Sequence, residues 1–545
     1  MIGGEAPMRW WGWGEPPEPI SLSQEGEAMI RAELGLPDAP PQDPPAIEDV
    51  RLPDSRLSDA AAEALRTAVG PEHVQTDRLS RVRRAAGRGY PDLLRLWKGD
   101  APEAPDAVVL PGSAAEVAAV LAACGDVGVA VVPFGGGTSV VGGVAGLHEG
   151  LDAAIALDLQ RLDSLSTDRT SLTATMGAGL SGRRAEARLQ ARGLTLGHFP
   201  QSFEYGTVGG YVATRSAGQA STGYGRVDKL VLALRMTAPA GEVVVKPMPG
   251  TAAGPSMREL IVGSEGAFGV ITEATLMVRP LPRARRYEGW SFTSFAEGCE
   301  AFRELEQAHA APDVARLSDE EETRLAMAMS ASGSLTERAG RAYLRARGHD
   351  GGCIVIVGWE GEEHATATRA ADGARILRAG GGLPLGARPG RSWLRSRYLG
   401  PYLRDLLLAR GVLVETLETA TTWSDLGGLH DAVTSALQGA LREHGTPPLV
   451  GCHVSHLYPA GASLYFTFMA RALPGRELDQ WRSAKDAASN AIVANGGTIT
   501  HHHAIGRDHL PWMRDEVGEL GIDVLRAVKE RFDPRGIMNP GKLIP

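Results

Sequence analysis

The stretch Val129-Ala130-Val131-Val132-Pro133-Phe134-Gly135-Gly136-Gly137-Thr138-Ser139-Val140-Val141-Gly142-Gly143 decides how this chain is read. A β-branched run with the character of a buried strand feeds three consecutive glycines, two hydroxyl residues and two more glycines. Glycine tolerates positive φ and carries no Cβ, so backbone N–H groups can close on an anion. Thr138 and Ser139 add hydroxyl donors. The loop is neither a Walker sequence, which needs Gly-Lys-Ser/Thr, nor the Gly-x-Gly-x-x-Gly of a dinucleotide turn. Alone, it also reads as an ordinary glycine-rich turn between strands.

Working outward, Ala107–Leu110 reads as a short strand and Ser113–Gly125 as a helix, so a β-α-β order brings the loop to the end of a strand. Leu230–Met236 and Val243–Lys246 read as a hairpin through Pro239-Ala240-Gly241. Two later stretches change the odds for the loop. The first is His198-Phe199-Pro200, then Gly206-Thr207-Val208-Gly209-Gly210 and Thr214-Arg215-Ser216-Ala217-Gly218. The second is Gly263-Ser264-Glu265-Gly266-Ala267-Phe268-Gly269-Val270-Ile271-Thr272. In this order and spacing the three resemble the FAD domain of flavoproteins of the vanillyl-alcohol-oxidase (PCMH) type. The resemblance implies non-covalent FAD. The glycine loop (Pro133 to Ser139) would take the pyrophosphate. His198, Pro200, Thr207, Val208, Gly209, Gly210, Thr214, Ser216, Gly218, Glu265, Gly269, Val270 and Ile271 would wrap the rest. Covalent members attach flavin through a histidine or cysteine, and residues 131–143 contain neither; His148 is the nearest.

The chain has 545 residues, 43% hydrophobic and 22% charged, enough for a sizeable core. A net charge of −9 gives no reason to expect a nucleic-acid surface. Four widely spaced cysteines form no C-x-x-C unit and fit a reducing compartment. No run of ~20 apolar residues is present, and Met1-Ile2-Gly3-Gly4-Glu5 lacks the basic start of a signal peptide. Lys542-Leu543-Ile544-Pro545 is no peroxisomal address. The expected location is cytoplasmic, with peripheral membrane contact left open. Residues 8–14, Met-Arg-Trp-Trp-Gly-Trp-Gly, hold three of ten tryptophans and are expected to dock onto the body or a partner. The Arg81-Val82-Arg83-Arg84 cluster reads as a solvated helix face.

Beyond Pro282 the texture changes. Helical stretches, Phe295–His309 and Thr323–Arg347 among them, alternate with strands at Gly352–Trp359, His453–Leu457 and Ser463–Met469. This pattern predicts a sheet with helices on one face. Thr500-His501-His502-His503-Ala504-Ile505-Gly506 is the most unusual feature here. Neighbours on a strand point to opposite faces, so three adjacent histidines on a strand cannot converge on one ion, whereas on a loop two could; no metal is expected. A buried imidazole can instead shuttle a proton or polarise a carbonyl.

The His501–His503 triplet, Tyr402-Leu403-Arg404-Asp405, Gly461-Ala462-Ser463-Leu464-Tyr465-Phe466 and the Trp-Gly start together resemble the alkyl-dihydroxyacetonephosphate (alkylglycerone-phosphate) synthase family over nearly the whole chain. The resemblance implies an α+β protein with a two-subdomain PCMH-type FAD-binding domain, a cap domain with an antiparallel sheet and an N-terminal helical extension. The expected division is 1–100, 101–283, 284–505 and a 506–545 segment returning to the flavin. It implies Tyr465 as acid/base, the triplet beside the flavin, Arg404 holding substrate, and Arg316 in Val314-Ala315-Arg316-Leu317 as a further functional arginine. The implied chemistry replaces the fatty acid of acyl-dihydroxyacetone phosphate by a fatty alcohol, with flavin as electron sink and no net redox. A lipid-like substrate and a homodimer go with it. On pattern alone Tyr465 is a core tyrosine, and Arg404 is a structural ion-pair partner of Glu415 or Glu418. Phe134 and Phe268 depart from the family's smaller aliphatics.

The alternative is an FAD-dependent oxidase or dehydrogenase of a 2-hydroxy acid. That group carries Gly-His-x-Gly-Asp-Gly-Asn-x-His, where this chain reads Gly451-Cys452-His453-Val454-Ser455-His456-Leu457-Tyr458. The missing Gly-Asp-Gly-Asn core removes the expected metal and acid/base set and counts against it.

Overall fold

A computed structural model describes residues 7–16, 20–331 and 333–545; the Met1–Glu5 start read above for targeting lies outside them. Three strands, Ala107–Val109, Ala153–Asp158 and Val129–Phe134, pair in parallel, and Val74–Gln75 adds an antiparallel edge. The Val129–Phe134 strand is buried along nearly its whole length, as a run without polar alternation must be. The Ala114–Val127 helix precedes it, capped by the Ser113 side chain accepting from Glu116 N–H and ended by Gly128 at φ +67°. The free edge of the Val129–Phe134 strand is finished from the far end of the chain. Val131 N–H donates to Ile537 C=O (2.8 Å) and Asn539 N–H to Val131 C=O (2.9 Å).

A five-stranded antiparallel sheet follows, in the order Leu165–Asp168, Thr173–Gly177, Val270–Met277, Val231–Ala238, Gly241–Val245. The expected hairpin is its last pair. The third large sheet is antiparallel throughout and has seven strands. Their order is Leu383–Gly386, Ala284–Phe292, Cys353–Gly361, Val314–Ser318, Leu449–Tyr458, Gly461–Arg471, Val412–Thr422. One face packs on the helices Phe295–Gln307, Glu363–Ala379, Leu426–Glu443 and Glu477–Ala494 and forms the largest core cluster. The period-2 rule sorts the side chains. Leu464, Phe466 and Phe468 enter that core, while Tyr465, Thr467 and Met469 face the other way, into a cavity.

Two readings need correcting, and a third is met. Thr323–Arg347 is not one helix but two, Glu320–Met329 and Leu335–Ala346. Gly333 at φ +65° breaks it, and the Ser334 side chain caps the second helix. Arg81 is not solvated: it is buried, with Nε donating to Pro105 C=O and Nη2 to Pro53 C=O. Arg84 is likewise tied, to the buried Asp158 carboxylate at 2.7 Å. The tryptophans of Met8–Gly14 pack on the body. Trp13 is 3% exposed, and Trp97 Nε1 donates to Trp11 C=O at 2.8 Å.

Candidate active site

One cavity of about 1340 Å³ runs between the glycine loop and the seven-stranded sheet. Pro133 to Ser139 line it, with Pro200, Thr207, Gly209, Gly210, Thr214, Ser216, Gly218, Glu265, Gly269 and Ile271. His198, Val208 and Val270 stand behind that wall; His198 Nε2 is 2.8 Å from Ser216 Oγ. Within the loop a side chain has no room. A Cβ on Gly136 would lie 2.0 Å from Tyr205 C=O, and one on Gly135 2.4 Å from Thr207 Oγ1. The loop is thus pressed on the 205–207 segment, leaving its backbone toward the cavity, the form of cradle a dinucleotide phosphate needs. These residues fit FAD. His148 contacts Arg56 and does not line the cavity.

Facing the cradle are Arg316, Arg404, Tyr465, His502 and His503, all on the cavity wall. His501 is withdrawn behind them. Strand register explains the row across the sheet: Tyr465 pairs with Glu418 on one side and His453 on the other. The Tyr465 ring stacks between His453 (4.9 Å) and His502 (6.0 Å), with His503 edge-on at 5.4 Å. The phenol keeps some exposed surface only because it borders the cavity. Burial pushes it up to about 12, against a hydrogen bond with Thr416, so it carries its proton at neutral pH.

Glu418 holds the triplet in place. Its carboxylate accepts from the backbone N–H of His501 (2.6 Å), His502 (3.0 Å) and His503 (2.8 Å) and from Thr500 Oγ1 (2.6 Å). Burial alone would raise Glu418, but the imidazoles, once protonated in acid, and the Thr500 hydrogen bond overcome this and hold it well below the ordinary range. The histidines go the other way: burial lowers all three, His503 to about 3, so they stay neutral. Tyr458 Oη lies 2.6 Å from His501 Nε2, His501 Nδ1 lies 3.0 Å from His502 Nδ1, and His502 Nδ1 lies 3.4 Å from Glu418 Oε2. His503 Nδ1 is buried without a hydrogen bond. His456, His501 and His502 each bring one nitrogen within 4.8 Å of the others, a grouping that could hold a metal ion; His501 is also hydrogen-bonded to Tyr458 and His502, while His456 Nδ1 has no hydrogen bond.

Arg316 is not free either. Its Nη2 donates to Glu322 Oε1 (2.9 Å) and its Nη1 to His453 Nε2 (3.0 Å), while His453 Nδ1–H donates to the same Glu322 oxygen (2.9 Å). Burial would raise Glu322, but Arg316 and His453 bring it down to about 2. Arg404 meets neither Glu415 nor Glu418. Its Nη1 donates to Arg88 C=O at 2.5 Å; its Nε and Nη2 are buried without a hydrogen bond, and Nη2 stands in a long ion pair with Asp405 Oδ1 at 3.7 Å. That edge is a place for an anion. Glu265, at φ +52°, accepts from Ile505 and Gly506 N–H and so fastens the end of the histidine loop to the flavin wall. Glu322, His453 and Arg88 were not among the expected site residues. Their partners lie up to 137 and 316 residues away, so no local motif marks them.

The fold and the cradle define an FAD-linked flavoprotein of the oxidase type. Residues 105–245 match the family described as FAD binding domain, and residues 281–543 match FAD linked oxidases, C-terminal domain. Alkyldihydroxyacetonephosphate synthase of Trypanosoma brucei brucei is 34% identical over 504 residues, 91% of this chain and 82% of that protein. The synthase of Dictyostelium discoideum is 30% identical over 571 residues, covering 99% and 93%. A solved alkyldihydroxyacetonephosphate synthase superposes with TM-score 0.85 at 28% identity, over 98% of this chain and 99% of the other. The chain belongs to the alkyldihydroxyacetonephosphate synthase family, and its cofactor is FAD.

Proposed function

We propose that this enzyme exchanges the acyl group of acyl-dihydroxyacetone phosphate for a long-chain alcohol. The observation that carries the reading is a single cavity joining the flavin cradle, the Tyr465–histidine row, the hydrogen-bonding edge of Arg404 and an apolar arm. Leu325, Met329, Leu344, Leu407 and Met469 line that arm. A C1–O bond to the carboxylate breaks, a C1–O bond to the alcohol forms, and the alcohol's proton leaves with the fatty acid, so no net redox occurs. Bound FAD supplies a ring that accepts an electron pair at the reacting carbon and returns it. Arg404 holds the phosphate through Nε and Nη2. The neutral His503 Nδ1, without a hydrogen bond of its own, takes the C1 proton and returns it to C1 once the alcohol has added. Tyr465 begins with its proton in place and gives it to the departing carboxylate, recovering it from the alcohol. Arg316, fixed by Glu322, holds His453 against the Tyr465 ring.

We assign 101–283 to the flavin, 284–505 to the substrate cap, and 506–545 to the returning segment. No helix among the described residues is long and apolar enough to cross a membrane. Lipid access belongs to the mouth of the arm, where Leu335 is 82% and Tyr343 44% exposed on one helix. A homodimer is part of the same reading and is checked by sedimentation. The deciding experiment is anaerobic incubation of the yellow protein with acyl-dihydroxyacetone phosphate and a labelled long-chain alcohol. Ether product without lasting bleaching is expected. Stoichiometric bleaching by D-lactate or glycolate, with no ether formed, would refute it.

A further inference from the structure

Arg88 joins three parts of the molecule. Its backbone N–H donates to Ser139 C=O of the flavin loop (2.5 Å), and its own C=O accepts Arg404 Nη1 (2.5 Å). Its guanidinium, 2% exposed as a residue, donates to Gly12 C=O (3.0 Å) and Arg9 C=O (3.0 Å) of the N-terminal turn. That turn closes on itself, Arg9 N–H to Trp13 C=O at 3.2 Å. It also lays Trp13 on the cavity wall, ring edge-on to Tyr205 at 5.3 Å and Nε1 on Glu204.

The turn makes one more contact, which bears on Arg404. Trp13 N–H donates to Asp405 Oδ2 at 2.6 Å. The same carboxylate's Oδ1 is buried without a hydrogen-bond partner and stands 3.7 Å from Arg404 Nη2, outside hydrogen-bonding distance. Asp405 is thus already in a long ion pair with this edge, and it would gain further by rotating into hydrogen-bonding distance. The Trp13 N–H holds it back. We propose that the Arg9–Gly14 turn, seated by Arg88, is a strap that limits Asp405 to this long ion pair and so leaves the hydrogen-bonding edge of Arg404 to an anion. Arg88, Trp13 and Asp405 are positioning residues: none is needed to touch the ligand's phosphate. Unseating the strap frees Asp405 to occupy the edge that the phosphate needs, and the site closes on an internal anion. This rests on the reading of Arg404 as the phosphate contact.

The perturbation is Gly12→Ala, because a Cβ there would lie 2.5 Å from Asp405 Oδ2 and must push strap and carboxylate apart. The probe is dihydroxyacetone phosphate, titrated calorimetrically into the flavin-loaded full chain. Losing access to a charge-assisted bond predicts binding weaker by roughly tenfold or more, with flavin content unchanged. Adding Asp405→Asn to Gly12→Ala should restore the affinity, since a neutral amide does not compete for the guanidinium. A merely structural strap would show no such rescue. Should Gly12→Ala not fold, Arg88→Lys, which cannot reach both carbonyls, is tested with the same Asp405→Asn rescue. Wild-type affinity in Gly12→Ala alongside loss in Arg404→Gln overturns the strap and leaves the phosphate reading standing. Failure of the rescue overturns the strap as well. Wild-type affinity in Arg404→Gln overturns both.

Discussion

Glu418→Gln tests the reasoning behind the histidine loop most directly. The wild-type carboxylate accepts four hydrogen bonds in a side chain with no exposed surface: Oε1 from His502 N, His503 N and Thr500 Oγ1, Oε2 from His501 N. Glutamine offers one acceptor oxygen. In its better orientation the amide oxygen keeps the first three, and the NH₂ then faces His501 N–H, donor against donor. The loss is one charge-assisted bond plus one buried unsatisfied donor, together ~3–5 kcal/mol. This is a large part of a domain's stability of ~5–15 kcal/mol, so the loop should loosen before the chain unfolds. Urea unfolding followed by tryptophan fluorescence and by flavin release should show the drop. The pH dependence gives a second, signed check. Glu418 lies well below its unfolded value in the folded chain, so its contribution is complete above the unfolded value of about 4.3. It is lost as pH falls from there through the folded value. The gap between wild type and variant should therefore be widest near neutrality and narrow only in acid. A gap under ~1 kcal/mol at pH 7, or one that widens in acid, would refute the argument.

Tyr465→Phe should keep fold and flavin while ether formation falls ~10²–10⁴-fold, and His503→Ala should do likewise. Their double variant should lose no more than the worse single one, since both act in one transition state; steady-state turnover of all three decides it. Gly136→Ala, whose methyl would lie 2.0 Å from Tyr205 C=O, should yield colourless or part-loaded protein, and full flavin absorbance would contradict the cradle. Acid precipitation should release all flavin into the supernatant, a yellow pellet being the contrary result.

What could be read from the chain alone was local. The glycine loop and the histidine triplet announce themselves because neighbours in sequence build them, and Tyr465 lies on a strand whose alternation is plain. The acids that make the site work are set by distant partners. Glu418 meets His501 across 83 residues, and Glu322 meets His453 across 131. In sequence Glu322 sits in Asp319-Glu320-Glu321-Glu322, which looks like a solvated helix start; yet Glu322 turns inward to Arg316 and His453, and Asp319 to His430. Val412–Thr422 was not recognised as a strand, although two buried glutamates in a β-branched run (Val414-Glu415-Thr416-Leu417-Glu418) were a usable signal. Arg88 is an arginine between two glycines, with nothing in its surroundings to show that three carbonyls and the Arg404 guanidinium wait elsewhere.

The pairing of Val131 with Ile537 and Asn539 has a consequence for biosynthesis. Asn539 Nδ2 also reaches Glu265 C=O (2.6 Å), and Lys542 Nζ reaches Ala145 C=O (2.6 Å) across 397 residues. The wall of the flavin cradle is therefore stitched shut by residues the ribosome delivers some four hundred codons after the loop itself. A nascent chain holds an open, unfinished cradle while the seven-stranded sheet is being made. Flavin capture should then wait until translation has run past residue 539.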